Sequence, residues 1–159
     1  MPSTYQRLAI EMAAQAPAIR LRVQGTSMFP LLQADEFVLV KPVPTEHLRP
    51  GDLIAFRRSN EVITHRLVTI RPEGYITLGD HTAALDPPVL SENILGCVAA
   101  IEQDGQQKSL WGGRWTIINR ALAWLGWQAA APHRTGSAAR LPRALFWLAR
   151  WLARLSVNI

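Results

Sequence analysis

The chain has 159 residues, of which 48% are apolar and 18% charged, and a formal net charge of +5. That length bounds it to one domain with room for a terminal appendage. A single cysteine, Cys97, excludes a disulfide framework and a thiolate metal cluster, and it reads as a small buried residue.

Surplus positive charge suits nucleic acid or an anionic membrane surface. Its location favours the second. Arg120, Arg134, Arg140, Arg143, Arg150 and Arg154 are mixed with Trp and Leu, and no acid follows Asp104. All six tryptophans also lie beyond residue 110. No nucleic-acid partner is expected. Residues 1–22 hold no uninterrupted apolar stretch, and nowhere does an apolar run reach about 18 residues. The expectation is a chain without signal peptide or transmembrane helix, cytoplasmic or peripheral on a membrane.

Residues 4–16 are rich in Ala and predict a short helix ended by Pro17. Ile19 to Val23 alternates apolar and basic, the sign of a half-buried strand. Further strands are expected at Phe37 to Val40, Leu53 to Phe56, Glu61 to Ile70, Tyr75 to Leu78 and Ile94 to Ile101. Arg49 to Asp52 is a turn, Arg57 to Asn60 a polar hairpin turn, and Gly79 to Pro88 an irregular loop. The last strand should stop at Asp104-Gly105. Short strands at this spacing predict a mainly β body.

After Gly112-Gly113 the pattern turns helical, over Trp115 to Ala131 and then Leu141 to Leu155, joined by a linker at 132–139. Pro142 suits the first turn of the second helix. On that helix Leu141, Leu145, Leu148, Leu152 and Leu155 share one face. Arg140, Arg143, Arg150 and Arg154 share the other, with Trp147 and Trp151 at the border. Such a helix suits a membrane surface, a partner protein or the chain's own core equally well. The expected organisation is an N-terminal helix at 1–18, a catalytic body at 19–110 and a Trp/Arg-rich helical tail at 111–159.

Chemistry-bearing residues concentrate in the body. Ser27 sits between Gly25 and Pro30, a setting that holds a hydroxyl rigid and exposed. Gly25-Thr26-Ser27 alone fits a self-bonded turn equally well. His65 lies mid-strand with Ile63 and Leu67 on the same side. An imidazole titrates near ~6.5 in water, which suits a base at neutral pH, but a lone mid-strand histidine is more often a core residue. Asp80 and Asp86 follow in one loop, and either carboxylate would complete a serine, histidine and aspartate set. His47, His81 and His133 lack metal-ligand spacing, so neither a metal nor another cofactor is expected.

These stretches resemble a known family. Gly25-Thr26-Ser27-Met28-Phe29-Pro30, Arg49-Pro50-Gly51-Asp52-Leu53-Ile54-Ala55-Phe56 and Ile63-Thr64-His65-Arg66-Leu67 are followed by Tyr75-Ile76-Thr77-Leu78-Gly79-Asp80 and Asn93-Ile94-Leu95-Gly96-Cys97-Val98. Residues 19–102 are thereby similar to the catalytic domain of signal peptidase I and to the serine-peptidase superfamily that includes LexA-type repressors. The resemblance implies a compact β fold with Ser27 as nucleophile, and Ser27, Met28 and Gly25 around the oxyanion and substrate site. Bacterial signal peptidases and LexA-type proteins use a lysine base, whereas His65 stands here. That is similar to the archaeal and endoplasmic-reticulum signal peptidases, which pair serine and histidine with an aspartate. By that likeness Asp86 is the His65 partner and Asp80 a supporting carboxylate.

The resemblance implies a serine endopeptidase that cleaves leader-like or precursor peptides, with small residues on the acyl side of the cut. His81 follows Gly79-Asp80 where the family commonly has asparagine, and no N-terminal membrane anchor is expected. A peptide-binding module without chemistry is a second expectation. The third is a LexA-like self-cleaving regulator, for which Ala99-Ala100 and Ala138-Ala139 are candidate bonds. Residues 1–18 are too short for a DNA-binding helix-turn-helix.

Overall fold

The structure is a computed structural model that describes residues 17–103, 105–130 and 137–157, without the side chains of 137–142. The helix expected at 4–16 lies outside these residues. Seven strands form one antiparallel sheet: β1 (Ile19–Arg22), β2 (Phe37–Lys41), β3 (Leu53–Arg58), β4 (Glu61–Arg71), β5 (Gly74–Leu78), β6 (Ile94–Gln103) and β7 (Gln106–Ser109). Their order is β1-β2-β6-β3-β4-β5, with β7 paired to β6. Two helices follow, α1 (Gly113–Ala130) and α2 (Ser137–Val157). The fold is therefore mainly β with a C-terminal helical part.

The strands form because their apolar residues alternate between two layers. Leu53 and Ala55 of β3 enter one buried cluster, and Ile54 and Phe56 enter the other. The larger cluster joins the sheet to both helices through Trp115, Leu122, Ala123, Phe146, Ala153 and Val157. The smaller one lies across the sheet and gathers Leu48, Leu67, Val89 and Cys97. Burial pushes the Cys97 thiol up to about 12, as expected of an inert core cysteine.

The sequence expectations differ from the structure at several boundaries. Arg57 and Arg58 belong to β3, facing Val62 and Glu61 across a turn of only Ser59 and Asn60. The strand from Ile94 is not the last, since it returns as β7. Gln106 to Ser109 has no apolar alternation, so only its ladder to β6 makes it a strand. Helix α2 starts at Ser137, inside the expected linker, which places Pro142 beyond the first turn. Ala138, Ala139 and Arg140 are competent helix formers once the downstream helix is fixed.

Helix α2 turns Arg150 and Arg154 inward, while Arg143 stays exposed. Arg154 is 5% exposed and reaches Glu36 at 2.6 Å and the Leu31 carbonyl at 2.9 Å. Phe146, Ala153 and Val157 lie buried on the same side. The leucines at 145, 148, 152 and 155 face solvent instead. A long side chain lets an arginine cross an apolar layer to a carboxylate, which composition alone does not show. No helix among the described residues is long and apolar enough to cross a membrane.

Candidate active site

Alternation along β4 sends neighbouring residues to opposite faces of the sheet. His65 lies opposite Ile54, on the face of the smaller core, and Arg66 opposite Leu53, on the face of the helices. Both are buried. Each meets one carboxylate from the loop that follows β5.

His65 Nδ1 lies 2.6 Å from Asp86 Oδ2. Thr77 of β5 donates its hydroxyl to the same oxygen at 2.7 Å, and Arg58 donates to Oδ1 at 3.0 Å. The Asp86 amide bonds the Thr77 carbonyl at 2.9 Å, which fixes the loop against β5. Burial pushes the Asp86 carboxyl up, but hydrogen bonds from His65, Thr77 and Arg58 outweigh it, leaving it below the usual carboxylate range. Asp86 is thus an anion at neutral pH. With Nδ1 held by that anion, Nε2 is the ring nitrogen left to exchange a proton.

Ser27 opens the tight turn after β1. Phe29 N–H donates to the Thr26 carbonyl, and Leu32 N–H to the Met28 carbonyl, at 3.0 and 3.1 Å. Gly25 precedes it at φ +74°, backbone that side chains rarely adopt. The His81 amide donates to the Ser27 carbonyl at 2.7 Å, tying this turn to the Asp80 loop. Gly79 closes the assembly. A side-chain carbon there would come within 2.8 Å of the Ser27 carbonyl oxygen and 3.0 Å of His65 Nε2. Only glycine lets the serine turn and the imidazole share that space.

Ser27 and His65 line one groove of about 700 Å³ with Leu21, Val23, Met28, Val38 and Ile63. It runs between β1 and β4, although β2, β6 and β3 separate them in the sheet. The sheet must curl strongly to bring them together. A smaller cavity of about 260 Å³ lies beside Asp52, Cys97 and Asn119 and holds neither Ser27 nor His65.

Asp80 is placed elsewhere. It is 0% exposed, and both of its oxygens are taken by Arg66, from Nε at 2.9 Å and Nη2 at 2.8 Å. Arg66 Nη1 donates to Asn119 Oδ1 at 2.9 Å and to the Gly51 carbonyl at 3.2 Å. Asp80 thus anchors the loop to β4 and, through Arg66, to α1. Its amide meets Met28 Sδ at 3.4 Å, so this buried methionine supports the Ser27 turn from beneath while lining the groove.

Sequence reasoning missed Arg58, Thr77, Arg66 and Asn119. Thr77 and Arg66 stood inside the quoted motifs, but nothing local marks a threonine or arginine as a carboxylate partner. Arg58 was assigned to a turn, and Asn119 lies far away on a helix.

No curated protein and no solved structure matches the chain. The family model described as Peptidase S24-like matches residues 3–99, more than half of the sequence. That match stops before α1 and α2, so the helices lie outside the shared part. With an antiparallel β body of this kind behind the match, the chain belongs to the Peptidase S24-like family, whose fold serves serine peptidases and LexA-like self-cleaving regulators.

Proposed function

We propose that the protein is a serine endopeptidase of Ser-His-Asp type acting on a leader-like or precursor peptide. The observation that carries this is the 2.6 Å His65–Asp86 pair opening on a groove that Ser27 also lines. Asp86 orients the imidazole and stabilises its protonated form. His65 Nε2 takes the proton from the Ser27 hydroxyl as Oγ attacks the peptide carbonyl carbon. The Ser27 amide donates to the oxyanion that forms. The carbon–nitrogen bond then breaks, and His65 returns its proton to the departing amine. A water molecule, deprotonated by His65, attacks the acyl carbon, the bond to Ser27 Oγ breaks, and His65 returns the proton to Oγ.

The groove favours a peptide with small or apolar side chains, since Leu21, Val23, Val38 and Ile63 wall it. A separate substrate suits this chain better than self-cleavage at the two Ala-Ala bonds. Ala99-Ala100 lies within β6, and Ala138-Ala139 lies within α2. A bond locked in a ladder or helix cannot enter a groove without local unfolding.

The test is mass spectrometry of a small-residue peptide library incubated with wild type and with Ser27→Ala. Cleavage by wild type alone, reduced at least about 10⁴-fold by the substitution, is the expected outcome. Equal product from both proteins would overturn the assignment of Ser27. Wild type that binds library peptides without cutting them would favour a binding module.

A further inference from the structure

We infer that α2 docks the protein on an anionic phospholipid surface, with its leucine and tryptophan face in the interface and a phosphate headgroup in the pocket beside Arg150. Two independent observations meet on this helix.

The first is an apolar face with nothing packed on it. Leu148 is 50% exposed and Leu152 is 55% exposed, with Leu145, Leu155 and Trp147 exposed beside them. The helix gains its place in the fold from the opposite side, through Phe146, Ala153, Arg154 and Val157. The leucine side therefore contributes nothing to the core that holds the helix. Leucines flanked by a tryptophan and arginines compose a helix that lies in a bilayer interface.

The second is a buried cation in need of an anion. Arg150 is 8% exposed, and its Nε is sealed from solvent without a hydrogen-bond partner among the described residues. The Phe146 ring lies 4.9 Å from its guanidinium. Asp80 is the acid that acts on Arg150 electrostatically, and Arg66 already holds both of its oxygens. An arginine keeps its charge in any protein environment, so this site stays cationic. Arg154, by contrast, has Glu36. Arg150 lines a pocket of about 270 Å³ together with Arg143, His81, Thr82 and Trp147. That lining offers two guanidinium groups, an imidazole and a hydroxyl, and no carboxylate.

Trp147 belongs to both features, lining the pocket and standing exposed beside the leucines. That continuity selects a lipid over a free anion, because only a lipid carries a phosphate and an apolar body together. Charge agrees, since no Asp or Glu follows Asp104 in the sequence. The face also adjoins the nucleophile turn, as Phe29 packs edge-on against Trp151 at 5.4 Å.

The test is sedimentation of the full chain with vesicles of equimolar phosphatidylglycerol and phosphatidylcholine. Wild type should sediment with these and far less with phosphatidylcholine alone. Leu148→Glu with Leu152→Glu, both at exposed positions, should weaken binding at least tenfold. Arg150→Met should weaken it about fivefold, the share of one interfacial arginine. Ser27→Ala should bind as wild type does, which separates this result from the peptidase assignment. Quenching of tryptophan fluorescence by bromine-labelled lipid reads the same contact without any substitution. Failure of wild type to bind, or binding unchanged by the Leu148 and Leu152 pair, would overturn the inference. So would stabilisation by inorganic phosphate without vesicle binding, which would reassign the pocket to a free anion.

Discussion

Two carboxylates from one loop, the buried Asp80 and the partly buried Asp86, meet adjacent residues of β4 and come to different ends. Both Asp80 oxygens and all three guanidinium nitrogens of Arg66 are engaged within the protein, on each other, Asn119 and the Gly51 carbonyl. That cluster joins β4, the loop and α1. Asp86 holds only one nitrogen of His65, and the other lies beside Gly79 and the serine turn. Burial and ion pairing are common to both pairs. What separates them is an atom with proton affinity left over beside a cavity. A closed buried pair specifies structure, whereas one with a ring nitrogen left over on a groove that a serine also lines has the means for chemistry.

The comparison breaks most sharply at Asp86. Asp86→Asn keeps the shape but cannot hold the imidazole in the same tautomer, and kcat for peptide cleavage should fall about 10⁴-fold. A loss below tenfold would mean that His65 needs no orienting anion. Gly79→Ala comes next. It crowds the Ser27 carbonyl and His65 Nε2 without changing either residue, and cleavage should drop about 10²-fold. Unchanged kcat with the alanine would mean that their approach at Gly79 does not matter.

Asp80→Asn acts on the other cluster. It leaves a buried Arg66 charge without its anion, at a cost of about 3–5 kcal/mol. Thermal melts should show a fall on the order of 10 °C. An unshifted melting temperature would mean that this ion pair does not hold the loop and α1 together.

The smallest expected effect concerns pH and stability. The Asp86 carboxyl lies below its usual range in the folded chain. Its contribution is therefore complete above the unfolded value of about 3.9 and is lost as pH falls through the lower folded one. Melts of wild type and Asp86→Asn should differ steadily near neutrality and converge only below about pH 4. Convergence at higher pH would contradict a depressed carboxyl. Cleavage, unlike stability, rests on an unprotonated His65, because a protonated imidazole cannot take the serine proton.

Much of this was legible in the chain. The short β-rich runs at Leu53 to Phe56 and Glu61 to Ile70, bounded by turn residues, are local signals, and both became central strands. The Ser27 turn was legible from Gly25 and Pro30, whose backbone preferences act without tertiary help. The pairing of His65 with Asp86 was legible only through resemblance, since the spacing of residues does not say which of two aspartates meets which face. The Gln106–Ser109 strand was not legible, because it takes its form from β6 and not from its own side chains.

The sequence by itself determined the strands β3 and β4, the turn at Ser27, the helical tail and its two chemical faces. These follow from short-range sterics and from the period of the apolar pattern. Tertiary structure decided which aspartate serves His65, because the face of β4 and the path of the loop fix that together. It also decided the sense of the tail. Arg154 found Glu36 across the core, so the leucines turned outward. A helix chooses its buried face by the partners waiting for it, and those partners lie more than a hundred residues away in the chain.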